Sequence, residues 1–162
     1  MAVVRFKKER GAKAPSYAYK GDAGLDLYSN EDKVLEPMHR APLRTGIYFE
    51  IPKGYVGLIW DKSGLALRTG VHTLSGVLDS NYRGELKVVL LNVSSKPIRI
   101  EKDMKVGQLL LQKIETAKLK EVENLSKTVR GERGFGSSGI RAGKTINNPE
   151  IGLGKIKEAI KK

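Results

Sequence analysis

Cysteine is absent from this chain of 162 residues, and histidine occurs only twice, at His39 and His72. Without cysteine the chain can form no disulfide, thiolate metal site or cysteine nucleophile. Two histidines are too few for a histidine-rich metal cage. No apolar run approaches the length of about 18 residues that spans a membrane, and the N-terminal residues lack the apolar core of a secretion signal. We therefore expect no membrane partner and an intracellular location, in the cytoplasm, the nucleus or a virus-infected cell.

Acidic residues are also few, with 18 Asp and Glu against 30 Lys and Arg, which gives a net charge of +12. Such a balance favours an anionic ligand. The lysines are scattered along the chain and form no concentrated basic stripe, so we expect no specific nucleic-acid partner. The length fits one domain, and the apolar content of 40% is typical of a globular protein.

Short apolar segments alternate with turn residues through the body of the chain, a pattern typical of a β-sandwich or jelly roll. We expect residues 86–92 to form a strand that is buried on both faces. Residues 117–125 fit a short helix or a strand equally well. The predicted strands lie at 47–51, 55–60, 86–92, 97–100 and 106–112, and the predicted turns at 61–64, 68–70, 79–84 and 94–97.

Residues 130–139 combine two arginines, four glycines, one phenylalanine and two serines. Glycine exposes backbone N–H groups, and arginine and serine bind phosphate oxygens, so this segment suits a lid over a nucleotide. The pattern G-x-G-x-x-G at Gly134–Gly139 has too little chain after it for a dinucleotide-binding unit. A solvated glycine-rich tail, or one that binds nucleic acid without order, remains an alternative.

Several other positions have both a chemical and a structural interpretation. Asp79, in a turn between apolar segments, suits a general base or an Asx turn. Residues 61–64 suit a phosphate or an ordinary turn. Tyr82 can stack on a sugar or cover the core. Gln108 interrupts an apolar run and needs a hydrogen-bond partner if it is buried.

Taken in order, these segments resemble the five motifs of the homotrimeric dUTP diphosphatases, or dUTPases. The resemblance implies an all-β, distorted jelly-roll or β-clip sandwich with a flexible C-terminal arm, assembled as a homotrimer with shared active sites. We therefore divide the chain into a catalytic body (1–129), a phosphate-binding lid (130–139) and a basic tail (140–162), whose own sequence fits a short helix or a disordered segment. The five motifs are Asp22–Tyr28, Lys62–Ala66, Gly76–Glu85, Lys105–Leu109 and Arg130–Gly139.

The same resemblance implies hydrolysis of dUTP to dUMP and pyrophosphate, with Mg2+ on the triphosphate. Asp79 would activate a water for attack on the α-phosphorus, and Asp26 would orient the magnesium through water. The base would lie in a hairpin pocket, the phosphates beside motif two, and the γ-phosphate and uracil under the lid. The substrate-binding residues implied are Lys62, Ser63, Gly64, Leu74, Gly76, Val77, Leu78, Tyr82, Leu86, Lys87, Gln108, Arg130, Phe135, Gly136, Ser137 and Ser138.

Three positions depart from the family pattern. Lys62 replaces an arginine, the usual Gly-Asp-Arg is Asp103-Met104-Lys105, and Arg133 replaces a glycine. Two alternatives share the scaffold. A dCTP deaminase needs a glutamate on the strand after the catalytic turn, and residues 86–92 contain none. The other is a non-catalytic nucleotide-binding protein.

Overall fold

Antiparallel strands form the body of the protein. The computed structural model describes residues 2–74 and 76–134. All of the regular elements described lie in a unit that spans residues 1–117. In chain order they are β1 (Arg5–Lys8), β2 (Gly24–Tyr28), β3 (Lys33–Leu35), β4 (Arg40–Glu50), β5 (Tyr55–Trp60), α1 (Ser63–Thr69), β6 (Val71–Thr73), β7 (Val77–Leu78), β8 (Glu85–Asn92), β9 (Ile98–Ile100) and β10 (Lys105–Lys113).

The strands form two four-stranded sheets and a small two-stranded one. The first sheet has the order β1-β4-β8-β6, the second β2-β10-β5-β7, and the third pairs β3 with β9. This arrangement confirms the prediction of an all-β sandwich. Among the residues that the structure describes, no helix has the length and apolar character needed to cross a membrane.

The core lies where alternate residues of the long strands meet. Leu43, Ile47 and Phe49 of β4 pack with Val88 and Leu90 of β8, and all five side chains are buried. The expectation that β8 is buried on both faces was wrong for the chain described. Its burial alternates from residue to residue, as expected of a strand with one face on the core.

A short helix stands where we predicted two turns, at 61–64 and 68–70. The helix α1 buries none of its side chains, so it has no apolar stripe for sequence reasoning to detect. It ends at Gly70, whose backbone φ of 75° is left-handed and whose N–H bonds to the carbonyl of Ala66. The residues that suggested turns lie at the two ends of the helix, Ser63 and Gly64 at its start and Thr69 at its end.

The predicted strands 47–51, 55–60, 86–92, 97–100 and 106–112 all coincide with observed strands, with shifted ends. The strands β1, β3, β6 and β7 were not predicted, because segments of two to four residues carry too little periodicity. Residues 118–134, the described part of a second unit, contain neither helix nor strand. Both alternatives for 117–125 were therefore wrong.

One buried polar side chain ties the end of β8 to its neighbours. Asn92 is fully buried. Its Nδ2 donates to the carbonyls of Leu35 at 2.9 Å and Lys96 at 2.8 Å, and its Oδ1 accepts the N–H and hydroxyl of Ser94 at 2.9 and 2.7 Å. The side chain thus forms hydrogen bonds both to β3 and to the β8–β9 connection.

Replacement of Asn92 by alanine should lower the free energy of unfolding by about 2–4 kcal/mol, because the buried carbonyl of Leu35 and the partly buried carbonyl of Lys96 lose this donor. Urea unfolding monitored by circular dichroism measures this loss. The exposed Asn81 gives a matched control, since Asn81→Ala should change stability by less than about 0.5 kcal/mol. A loss for Asn92→Ala that is no larger than the control would contradict this role.

Candidate active site

A row of three residues across the second sheet sets one side of the site. Gln108 of β10 lies opposite Asp26 of β2 and, on its other side, opposite Trp60 of β5. Directly opposed residues of antiparallel strands project from the same face of a sheet. Asp26, Gln108 and Trp60 therefore project from one face, although they are far apart in sequence.

An open pocket of about 430 Å3 lies over this row, and we call it pocket A. Gln108, Trp60 and Lys62 line it together with residues 22–24. A Cβ atom at Gly24 would lie 2.3 Å from Oε1 of Gln108, so only glycine leaves room for that amide. The pocket combines an ammonium group, an amide and an exposed indole, a donor set that suits an anion.

Asp61 holds the loop that carries Lys62, and sequence reasoning gave it no role of its own. Its Oδ1 accepts the N–H of Thr73 at 2.6 Å, and its Oδ2 lies 2.7 Å from Nδ1 of His72. Its carbonyl accepts Nε2 of Gln108 at 2.9 Å, which gives that amide the partner it needs. Burial raises the pKa of Asp61, but the bonds from Thr73 and His72 outweigh it, so the pKa lies below its ordinary value.

Asp26 is a buried carboxylate between two lysines. It is 1% exposed, with Oδ1 2.6 Å from Nζ of Lys62 and Oδ2 2.6 Å from Nζ of Lys105. Within the described chain Oδ2 has no well-aligned donor, so the charge of Lys105 is its main compensation. Burial raises the pKa of Asp26, but the contacts with Lys105 and Lys62 outweigh it and lower the pKa.

A second pocket of about 310 Å3, which we call pocket B, lies beside β7 and the following turn. Leu78 of β7 lies opposite Gly57 of β5, where a Cβ atom would approach the Leu78 Cβ to 3.2 Å. The glycine therefore lets β7 lie close against β5. The predicted residues that line pocket B are Val77, Leu78, Asp79, Tyr82, Leu86 and Lys87.

Tyr82 is fixed over the turn. Its hydroxyl donates to the carbonyl of Glu85 at 3.1 Å, and its N–H bonds to the carbonyl of Asp79 at 3.2 Å. A Cβ atom at Gly84 would lie 2.3 Å from the tyrosine hydroxyl, so the ring can lie there only beside glycine. The ring is partly exposed and forms a wall of pocket B.

The four acids that line the two pockets differ in their partners. In pocket A, Asp22 accepts the N–H of Tyr19 and Asp61 is bonded as described above. In pocket B, both oxygens of Glu85 are bound. The carboxylate of Asp79 is exposed and has no hydrogen bond or ion pair within residues 2–74 and 76–134. Of these acids, Asp79 is the one free to accept a proton from a ligand or water.

Glu85 corrects one premise of the sequence analysis. The strand after the predicted catalytic turn begins at Glu85, so it does contain a glutamate. Oε1 of this glutamate accepts the N–H of Gly46 at 2.9 Å, and Oε2 accepts Nε of Arg44 at 3.2 Å. A carboxylate with both oxygens engaged on the neighbouring strand is poorly placed for proton transfer in the pocket.

The predicted site residues thus fall into separate groups. No described residue lines both pockets, so Asp79 and the pair Lys62 and Gln108 do not share one cavity of the chain. Ser63 and Gly64 form the first turn of α1. Leu74 and Gly76 both precede β7, and neither lines pocket A or pocket B.

Arg130 belongs to the second unit, and its Nε donates to the carbonyl of Arg133 at 2.9 Å. Arg133, which replaces a glycine of the family pattern, returns a bond from its Nε to the carbonyl of Arg130 at 3.1 Å. The rest of the predicted lid, which includes Phe135, Gly136, Ser137 and Ser138, lies outside the described residues, as does the tail 140–162.

Comparison with known proteins gives a consistent result. A family model described as dUTPase matches residues 10–139. The deoxyuridine 5'-triphosphate nucleotidohydrolase of Corynebacterium glutamicum is 44% identical over 143 residues, which is 86% of this chain and 95% of that protein.

Solved structures of dUTPases are also similar to this chain. A mutant dUTPase of Staphylococcus bacteriophage 80alpha with dUpNHpp is similar at a TM-score of 0.81 and 31% identity, over 86% of this chain and 100% of that one. A mutant dUTPase from phage phi11 of S. aureus, described with a structural Mg(II) ion, is similar at a TM-score of 0.71 and 27% identity, over 76% of this chain and 98% of that one.

The bonds of Asp61 give a prediction about pH. Asp61→Asn should lower the free energy of unfolding by about 1–3 kcal/mol near neutral pH, because an amide cannot accept both bonds. The folded pKa is below the ordinary 3.8, so the stabilisation is fully present above that value and is lost as the pH falls through the folded pKa. The difference between wild type and variant should therefore shrink at acid pH.

Urea unfolding of both proteins near pH 7 and near pH 3 measures this difference. Asp22→Asn is the control, because it removes a charge from the same pocket and leaves the Asp61 bonds intact. A difference for Asp61→Asn that stays constant across this range would contradict the assignment.

Proposed function

Because the chain belongs to the dUTPase family, we propose that it hydrolyses dUTP to dUMP and pyrophosphate. The observation that carries the proposal is the unpaired carboxylate of Asp79 in pocket B, beside β7. It is a base without a competing partner, and it lines an open pocket of about 310 Å3. This combination suits hydrolysis at a bound nucleotide.

In the proposed reaction, Asp79 accepts a proton from a water as the water oxygen attacks the α-phosphorus. The bond from that phosphorus to the bridging oxygen breaks, and pyrophosphate leaves with the bond electrons. A carboxylate within hydrogen-bond reach of the water is a suitable general base. The remaining catalysis is positioning and stabilisation of phosphate charge.

We assign the deoxyuridine end of the substrate to pocket B. The segments 74–78 and 86–87 would read the uracil edge through backbone groups, which reject the cytosine amino group by donor mismatch. The Tyr82 ring is supported by the close approach of Gly84 and would leave no room for a 2'-hydroxyl.

We assign the α- and β-phosphates to pocket A and α1, through Lys62, Ser63, Gly64 and Gln108. The pocket supplies a cation and an amide that is held by Asp61, which supports this assignment. We assign the γ-phosphate to Arg130, Gly136, Ser137 and Ser138, and uracil stacking to Phe135, on the chemistry of the sequence 130–139.

We propose Mg2+ as the cofactor, carried by the substrate. Among residues 2–74 and 76–134, no three His, Cys, Asp or Glu side chains are grouped to hold a metal. Mg2+ needs few protein ligands when phosphate oxygens and water complete its shell, so these residues fit an ion that arrives with the triphosphate. When bound there, it would neutralise phosphate charge.

We also propose that the active site is shared between chains of a homotrimer. Asp79 and the pair Lys62 and Gln108 line different pockets, so one chain does not bring the base and the phosphate groups together. Contact between pocket B of one subunit and pocket A of the next would complete the site.

The proposed role of Asp79 gives a prediction about turnover. Asp79→Asn should lower kcat for dUTP by about 100- to 10,000-fold, because the amide cannot accept the proton of the water. Binding of dUpNHpp should change little, since no described contact depends on the charge of this carboxylate. Pyrophosphate release and isothermal titration calorimetry measure the two effects.

Asp103→Asn is the matched control, because Asp103 is exposed and lines neither pocket. Turnover of Asp79→Asn within threefold of this control would rule out Asp79 as the base. Pyrophosphate should form from dUTP and not from dCTP or UTP. Ammonia released from dCTP would instead support a deaminase, and nucleotide binding without turnover a non-catalytic protein.

The proposed sharing of the active site between subunits gives a prediction about mixtures of two variants. Asp79→Asn removes the proposed base from pocket B, and Lys62→Gln removes the ammonium group from pocket A. A 1:1 mixture of the two variants, unfolded and refolded together, should recover about a quarter of wild-type turnover, since a quarter of the sites then combine two intact halves. Pyrophosphate release after joint and separate refolding measures the recovery.

Asp79→Asn mixed with Tyr82→Ala is the control, because both defects lie in pocket B and every mixed site keeps one of them. Recovery only in the first mixture supports sharing. No recovery in the first mixture, with normal refolding by circular dichroism, would place the whole site in a single chain.

A further inference from the structure

The surroundings of Asp26 do not fit the role that the sequence suggested for it. An acid that orients the water shell of Mg2+ needs a free oxygen that faces the metal. Asp26 is 1% exposed, and each of its oxygens has a lysine ammonium at 2.6 Å. Two cations already occupy the space beside this carboxylate, and a third would be repelled by both.

We propose that Asp26 is a positioning residue for Lys62, and that it holds the ammonium group at the edge of pocket A to receive the phosphates. This inference rests on the proposed function. In it, Asp26 acts on the triphosphate through a side chain of the same protein and takes no part in binding the metal.

Lys62 needs a positioning residue because it is a lysine and not an arginine. A lysine ammonium is a point charge on a flexible four-carbon stem and lacks the two-pronged grip of arginine. Its position must therefore come from a fixed counter-ion. Asp26 is suitable because its backbone is held on both sides, by pairing with Gln108 of β10 and by a bond from its N–H to the carbonyl of Ser16 at 2.9 Å.

Lys105 explains how Asp26 stays ionised while the positive charge of Lys62 is not neutralised. One carboxylate between two ammonium groups leaves the cluster with a net positive charge. Lys105 lies on the other oxygen and does not line pocket A, whereas Lys62 does. Its pKa is raised, first by its contact with Asp26, so it remains a cation there. The positive charge that faces pocket A is thus that of Lys62.

The experiment separates the metal from the lysine. Trp60 is the single tryptophan of the chain and lines pocket A, so its fluorescence reports ligand binding there. The dissociation constant of dUpNHpp is measured on the full-length protein in EDTA, and the Mg2+ concentration for half-maximal dUTP turnover is measured separately. Asp26→Asn is compared with Asp103→Asn, an exposed isosteric control outside both pockets.

Asp26→Asn should weaken metal-free binding of dUpNHpp about tenfold and shift the Mg2+ midpoint less than twofold, since Lys62 is displaced and the metal is unaffected. Lys62→Gln should show a similar loss, and the double variant Asp26→Asn with Lys62→Gln should show no further loss, because both changes remove the same interaction. A purely structural role for Asp26 would instead give additive losses that follow thermal stability.

Metal-free binding like that of the control, with a Mg2+ midpoint raised tenfold or more, would overturn the inference and assign Asp26 to the metal. Unchanged binding with an unchanged midpoint would overturn it as well. If Asp26→Asn fails to fold, Asp26→Asn with Lys105→Met removes the surplus cation, and the same outcomes apply. Failure of wild type to bind dUpNHpp or to hydrolyse dUTP would instead contradict the proposed function.

Discussion

The pairing of β10 with two neighbours is the constraint on which pocket A depends. The strand forms antiparallel ladders with β2 on one side and β5 on the other. This pairing sets Asp26, Gln108 and Trp60 in one row, although three separate segments contribute them. A shift of one residue in either ladder would turn one of these side chains to the opposite face. The register of β10 therefore also sets the geometry of the proposed phosphate site.

A second principle is the difference between paired and unpaired acids. Buried carboxylates are costly unless cations or N–H groups compensate them, and Asp26, Asp61 and Glu85 all have such compensation. Their charges hold lysine, backbone and arginine in place. The carboxylate of Asp79 is exposed and has no partner in the described part of the chain, so its lone pairs remain available. The acids that shape the pockets and the acid that we propose as the base thus differ in their bonds and not in residue type.

Local patterns predicted the long strands, and the resemblance to the dUTPases implied most of the residues that line pocket B. β8 and the turn from Asp79 to Gly84 are contiguous in the chain, and their spacing is visible in the sequence. The helix α1 was missed because it buries no side chain and so has no periodic signal. The role of Asp61 was missed because its partners lie on two other strands, a juxtaposition that only the sheet register creates.

The presence of lysine in place of arginine at residue 62 has its explanation in the same register. Arginine brings its own geometry to a phosphate, whereas lysine takes its geometry from the surroundings. The row beneath pocket A supplies those surroundings, since Asp26 lies in the strand next to Gln108 and its carboxylate contacts Lys62. Lys105 replaces a second arginine of the family pattern and contacts the same carboxylate. The two replacements are physically coupled, because both ammonium groups contact the same buried carboxylate.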